Sequence, residues 1–251
     1  MGGTLGIWIP TWNRPNFFNR LTETIAPQLD PRVTVACGLN PPNEGYRIPY
    51  WMKATRNPTN IGQSLNILLG VNELGTDYLW VLGDDEQLKP EGITEILELI
   101  DTNPGMIICT DGRFDHGPEG SYKTWVEWAD ACVQSDRGVM LTAQTLISVT
   151  VFKRKALNMS TSYSYLDSKY GHHFGILDGL IHEPVTVTRK PVFTAGNNRD
   201  SHIHDEKPEV KENHKAICQQ SLTELIAFIN HKAARNYATS DCYQPGVGYD
   251  T

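Results

Sequence analysis

Between residues 5 and 110, short apolar runs alternate with segments of helical period, and this alternation most narrows what the chain can fold into. Leu5–Pro10 reads as a buried strand, ended by Pro10, which has no N–H to give to a central ladder. Asn16–Leu29 reads as a helix, with Phe17, Phe18, Leu21 and Ile25 at helical spacing. Val33–Cys37 and Trp51–Arg56 follow as strands, and Gln63–Leu74 as a helix. Tyr78–Leu82 (YLWVL) is the clearest buried strand, a continuous run of β-prone residues. Pro90–Ile100 then reads as a helix with Pro90 at its first position, and Met106–Thr110 as a further strand. Strand and helix in alternation predict a mainly parallel central sheet covered by helices on both faces, an α/β fold.

After residue 110 the period weakens. A helix is expected around Trp125–Val133, while Leu141–Val151 suits helix or strand equally. Tyr163–Ile181 reads as a loop entering a helix, Val185–Arg189 as a strand and Leu222–Ala234 as a closing helix. Residues 196–214 are polar and charged, a candidate mobile segment. No linker divides the 251 residues, so a single domain is expected. Five cysteines, odd in number and without a CxxC pair, suggest reduced thiols in an intracellular protein. With no basic leader and no run of 18 apolar residues, the expected location is cytoplasmic. The net charge of −7 disfavours a broad nucleic-acid surface but leaves room for a local basic groove.

The sharpest chemical feature is Asp84-Asp85-Glu86, directly after the YLWVL strand. In open α/β sheets ligands bind beyond the carboxyl ends of strands. Three neighbouring carboxylates repel one another, and a hard cation such as Mg²⁺ or Mn²⁺ relieves that repulsion while bridging substrate phosphates. The plainer alternative is a solvated acidic turn. His202 and His204 in SHIHDE stand two residues apart on a polar stretch, which by itself reads as a solvated loop with both histidines idle.

Three segments together carry a family resemblance: IPTWNRP (Ile9–Pro15), RNPTNIGQSLNILLG (Arg56–Gly70) and DYLWVLGDDEQLKPEGI (Asp77–Ile93). In this order they resemble a family 2 glycosyltransferase of the GT-A fold, an enzyme that draws on a nucleotide sugar. The resemblance implies a Rossmann-like sheet, a nucleoside-diphosphate-sugar donor half over 1–110, and an acceptor half over 111–251 with a lid at 196–208. It implies that Pro10, Thr11 and Asn13 wall the base site, with Trp12 and Arg14 nearby, and that Asn60 and Gly62 shape the pocket beside ribose or phosphate. Asn40 stands where the family often has an acid that reads the base. In the pattern D-x-D-D-x-x-x-P, spacing from Pro90 puts the first Asp at Gly83 and the second at Asp85. Asp85 is then the main ligand of Mn²⁺ or Mg²⁺, with Glu86 and Asp84 helping. A late His, here His202 or His204, can complete the metal shell.

The same resemblance implies inversion at the sugar, for which a base must take the proton of the acceptor hydroxyl. The family's Glu-Asp pair is missing from the second half. Asp167 is the nearest candidate, with His172 and His173 following, although Asp167 also suits a helix cap. The expected reaction moves a hexose, from a UDP-sugar first, to a hydroxyl of a glycan. An alternative acceptor is a hydroxymethylated base of phage DNA, held by Arg14, Lys53, Arg56, Lys153, Arg154 and Lys155. A non-catalytic sugar-nucleotide-binding protein is the alternative of another class. A nucleotidyltransferase lacks support, because IPTWNRPN is not a glycine-rich phosphate loop.

Overall fold

The computed structural model describes residues 2–112, 117–134, 147–168, 170–196, 220, 223–228 and 231. Its elements are β1 (Leu5–Trp12), α1 (Pro15–Ile25), β2 (Val33–Asn40), β3 (Lys53–Arg56), α2 (Gly62–Glu73), β4 (Tyr78–Val81), β5 (Gln87–Leu88) and α3 (Gly92–Asp101). There follow β6 (Met106–Thr110), β7 (Gly120–Tyr122), α4 (Trp125–Gln134), β8 (Thr150–Lys153), α5 (Met159–Ser164), α6 (Gly171–Leu180), β9 (Val185–Pro191) and β10 (Phe193–Thr194). The eight-stranded sheet has the order β3-β2-β1-β4-β8-β6-β9-β7. Pairing is parallel from β3 through β4 and between β6 and β9; β8 and β7 run against their neighbours. The chain is a single mainly parallel α/β domain, as the alternation predicts.

Side-chain alternation along β1 sorts the core into two layers. Leu5, Ile7 and Ile9 pack with Phe18, Leu21 and Ile25 of α1 and with Ile93, Ile96 and Ile100 of α3. Trp8 points to the opposite face, where Ile67, Leu68 and Val71 of α2 meet Phe174, Leu177 and Leu180 of α6. The Trp8 indole N–H donates to the Asn66 carbonyl at 2.7 Å. Glycines at 38 and 70 make room for it, since a Cβ at Gly70 would enter the Trp8 ring.

β1 and β2 stay in register from Leu5↔Val33 to Trp12↔Asn40, whereas β4 pairs with β1 only from Leu5 to Trp8. The sheet therefore has a step at its carboxyl edge, and the acidic turn after β4 lies in that step. The same step corrects the expectation that Pro10 ends its strand. Trp8 turns its carbonyl toward β4, accepting from Leu82 N at 2.9 Å. Pro10, two residues on, faces the same way, where β4 has already ended, so no ladder bond is lost.

Other boundaries shift for local reasons. The first helix begins at Pro15, and its last turn is a 3₁₀ turn at Ala26–Gln28. Pro90 lies outside its helix, because Gln87–Leu88 pairs with Phe193–Thr194 and Glu91 turns with φ 64° before α3 starts. The ambiguous run 141–151 is described from Ile147 onward, as a 3₁₀ turn and the start of β8. Of the closing helix, 223–228 are helical, with Leu225 buried and the Phe228 ring 5.1 Å from that of Phe174. The polar segment 197–214 lies outside the described residues. Cys37, Cys109 and Cys132 are buried and form no disulfide, and burial pushes the Cys37 thiol up to about 12. Among the described residues no helix is long and apolar enough to cross a membrane.

Candidate active site

A cavity of about 470 Å³ opens at the carboxyl ends of β2, β1 and β4. Its lining includes Pro10, Thr11, Trp12 and Arg14 after β1, Asn40 after β2, and Asn60, Gly62, Gln63 and Asn66 leading into α2. Gly83, Asp84, Asp85 and Glu86 line it after β4, with Ile147 and Ser148 before β8. Ten residues singled out from sequence, namely Pro10, Thr11, Trp12, Arg14, Asn40, Asn60, Gly62, Asp84, Asp85 and Glu86, thus share one cavity.

The turn after β1 is built from its sequence. Asn13 takes a left-handed conformation, φ 52°, which asparagine tolerates, and Pro15 occupies the start of α1. This turns the Arg14 guanidinium back over the acidic residues. Its Nη1 lies 3.1 Å from Asp84 Oδ1 and 3.5 Å from Asp85 Oδ2. Thr11 Oγ1 donates to Asp84 Oδ2 at 2.5 Å. Tyr46 locks the loop: its ring stands edge-on to Phe18 at 5.4 Å, and its hydroxyl accepts from Arg14 N at 2.9 Å and lies 3.1 Å from Thr11 Oγ1. Asp84 is 5% exposed, and burial pushes its carboxyl up to about 6 against the pull of Arg14 and Thr11.

The three carboxylates divide their tasks. Asp84 holds the β1 loop, while Glu86 accepts from Ser148 Oγ at 3.0 Å and from Gly196 N at 3.1 Å. Ser148 Oγ in turn accepts from Gly83 N at 3.0 Å. Asp85, half-buried, is the carboxylate of the triplet left facing the cavity, with Arg14 at its edge. Among the described residues no group of three His, Cys, Asp or Glu is arranged to hold a metal ion. The donor set fits a divalent cation held by Asp85 together with ligand phosphates, the usual arrangement for Mg²⁺.

At the β2 end, Asn40 Oδ1 accepts from Asn57 Nδ2 at 2.9 Å and from Ile61 N at 3.4 Å. Asn40 Nδ2 donates to Asn60 Oδ1 at 2.9 Å, which also accepts from Gly62 N at 3.0 Å. Gly62 opens α2 with φ +77°, a left-handed conformation that a side chain would strain.

The remaining sequence candidates sit elsewhere. Asp167 is exposed on the turn between α5 and α6; beside it, the Ser168 carbonyl accepts from Ser64 Oγ at 3.3 Å near the start of α2. His172 is 1% exposed in the first turn of α6, its ring 4.3 Å from that of His173. Neither Asp167 nor His172 lines the cavity. Asn13 is exposed beside it, and His202 and His204 lie outside the described residues. Tyr46, Asn57, Asn66 and Ser148 were missed. Asn57 stood in the RNPTN stretch and was legible there, but nothing local marks Tyr46 or Ser148.

No family model matches the chain. Abequosyltransferase RfbV of Salmonella typhimurium is 22% identical over 224 residues, which cover 77% of this chain and 66% of that protein. S. aureus TarS 1–349 in complex with UDP-GlcNAc superposes with a TM-score of 0.59 at 13% identity, over 81% of this chain and 61% of that one. The mannosyltransferase PcManGT from Pyrobaculum calidifontis, in complex with GDP-Man and Mn²⁺, gives a TM-score of 0.53 at 13% identity, over 97% and 77%. The chain thus spans just under two thirds of the length of RfbV and TarS 1–349. Sheet order, cavity position and these likenesses agree: the chain has a GT-A-like fold and resembles glycosyltransferases in both sequence and structure.

Proposed function

We propose that this chain is a glycosyltransferase that moves a hexose from a nucleoside diphosphate to a hydroxyl acceptor. The observation that carries the reading is the step at the carboxyl edge of the sheet, where one cavity has an acidic, Arg14-bearing end and an amide-lined end. A nucleotide sugar has the matching division between diphosphate and base. A uridine nucleotide is the base expected from the family resemblance, and UDP-GlcNAc and GDP-Man are the sugar nucleotides bound by TarS and PcManGT.

Asp85 would hold a divalent cation, which when bound neutralises charge on the departing diphosphate. Arg14 supplies fixed positive charge at the same end, and the bonds to Asp84 keep it aimed there. In an inverting transfer the acceptor oxygen bonds to the anomeric carbon as the bond to diphosphate breaks, and the acceptor proton passes to a base. Asp167 is the proposed base: it is exposed, while His172 is sealed in the core and held neutral by burial. A glycan is the first acceptor class. The DNA alternative is weakened by the placement of its basic residues. Lys153 pairs with Tyr78 at the amino end of β4, whereas Arg14 and Arg56 lie at the carboxyl ends of β1 and β3.

The test is incubation with a panel of nucleotide sugars, Mn²⁺ and candidate acceptors, scoring nucleoside diphosphate release. Release with at least one donor is expected. Asp167→Asn should keep donor binding and cut transfer at least a hundredfold. Binding without release would favour the non-catalytic reading, and no binding at all would end the donor-site reading.

A further inference from the structure

The amide end of the cavity has an unusual balance of hydrogen-bonding groups. Asn40 Oδ1 takes hydrogens from Asn57 Nδ2 and Ile61 N, and Asn60 Oδ1 takes them from Asn40 Nδ2 and Gly62 N. Both amide oxygens therefore have two donors, which fills their lone pairs. Their orientations are fixed by backbone groups, because Ile61 N and Gly62 N can only donate. What remains uncommitted among the described residues is one hydrogen on Asn40 Nδ2 and both on Asn60 Nδ2. Asn40 and Asn60 line the cavity, and between them they offer it hydrogen-bond donors and no free acceptor; the free amide oxygens of the lining belong to Gln63 and Asn66 of α2.

Three adjacent strands, β2, β1 and β4, separate this end from the acidic turn. Two strand spacings make that roughly 10 Å, a span suited to a base at one end and a diphosphate at the other. We propose, building on the donor-site reading above, that this donor-only edge selects a base presenting two adjacent acceptors: cytosine through O2 and N3, or guanine through O6 and N7. Uracil and thymine place an N–H between their two carbonyls, and adenine sets an amino group beside its acceptors. In each, a ligand donor would meet a protein donor and lose its hydrogen bond on burial. A carboxylate at position 40 would reverse the preference by accepting from such an N–H. Asparagine here thus turns the selection away from the uridine nucleotide that the family resemblance suggests.

The experiment is calorimetric titration of the full chain, with Mn²⁺, against CDP, GDP, UDP, dTDP and ADP. CDP or GDP should bind at least tenfold more tightly than UDP, dTDP and ADP. The 3-deaza analogue of CDP and the 7-deaza analogue of GDP each replace one proposed acceptor by C–H, and a tenfold loss identifies which base is read. Asn60→Asp keeps the oxygen that accepts from Gly62 N and Asn40 Nδ2 but removes both free donors. Its added charge acts on every diphosphate alike, so the ratio of CDP or GDP affinity to UDP affinity is the readout, and it should fall at least fivefold. Equal or tighter binding of UDP or ADP, an unchanged ratio in Asn60→Asp, or deaza analogues that bind undiminished would overturn the base selection while leaving the donor site standing. Failure of all five nucleotides to bind would overturn both.

Discussion

Asp84, Asp85 and Glu86 are consecutive in the chain, yet their surroundings make them three different groups. Asp84 is buried against Thr11 and Arg14, and Glu86 is tied to Ser148 and Gly196, which leaves Asp85 to face the cavity. Asp85→Ala should therefore weaken metal-dependent nucleotide binding at least tenfold while leaving the fold intact, as read by titration with and without Mn²⁺ and by circular dichroism. His172 makes a different prediction. Neither ring nitrogen has a hydrogen-bond partner among the described residues, and burial, aided by the neighbouring His173, pushes its pKa well below 6.5. The folded pKa lies below the unfolded one, so this contribution to stability is complete above about pH 6.5. As pH falls below that value the unfolded chain takes up a proton that the folded one refuses. Stability should then drop by up to about 1.4 kcal/mol per pH unit. His172→Phe should flatten that slope between pH 6.5 and 5, measured by urea unfolding.

Among the elements, β1 approaches α2 closely, and Asn66 at that contact lines the cavity. Trp8 fills the space that Gly38 and Gly70 leave, and Asn66 spans from the Trp8 indole to the Gly38 carbonyl at 2.9 Å. Gly70→Ala should cost about 2 kcal/mol by overpacking and loosen nucleotide binding through the displaced helix, as checked by denaturant unfolding and titration. Most strands and helices through residue 110 could be read from sequence because each buries a run or face of matching period; the two-residue β5 could not, and the four residues of β3 are exposed or half-buried. The acidic turn and the asparagine-bearing loops were legible because each follows a strand end. The reading failed where a neighbour decides the outcome. Pro10 stays in β1 only because β4 stops short, and Pro90 lies outside α3 because β10 claims Gln87 and Leu88. Ser148 was hidden in an apolar run whose period suits helix and strand alike, and Tyr46 is placed by Phe18, far from it in sequence.

For the whole molecule, a ligand that binds only the folded chain stabilises it by mass action. A nucleotide at 100 times its Kd adds about 2.7 kcal/mol, and at roughly 2–4 °C per kcal/mol for a chain of this size the melting temperature should rise by about 5–10 °C. Thermal unfolding with and without nucleotide and Mn²⁺ reads this directly, and the base giving the larger shift is the one selected. The reversed strand β8 has a further consequence. Because it runs against β4 and β6, its beginning lies at the carboxyl edge, and Ser148 reaches Gly83, Glu86 and the Trp80 indole N–H. Gly196 then closes on Glu86 from still later in the chain. During synthesis the cavity at the carboxyl edge therefore cannot mature as its own strands emerge. It waits for residues about sixty and one hundred and ten positions downstream of the acidic turn, so a nascent chain ending at residue 110 has the acidic turn but no working pocket.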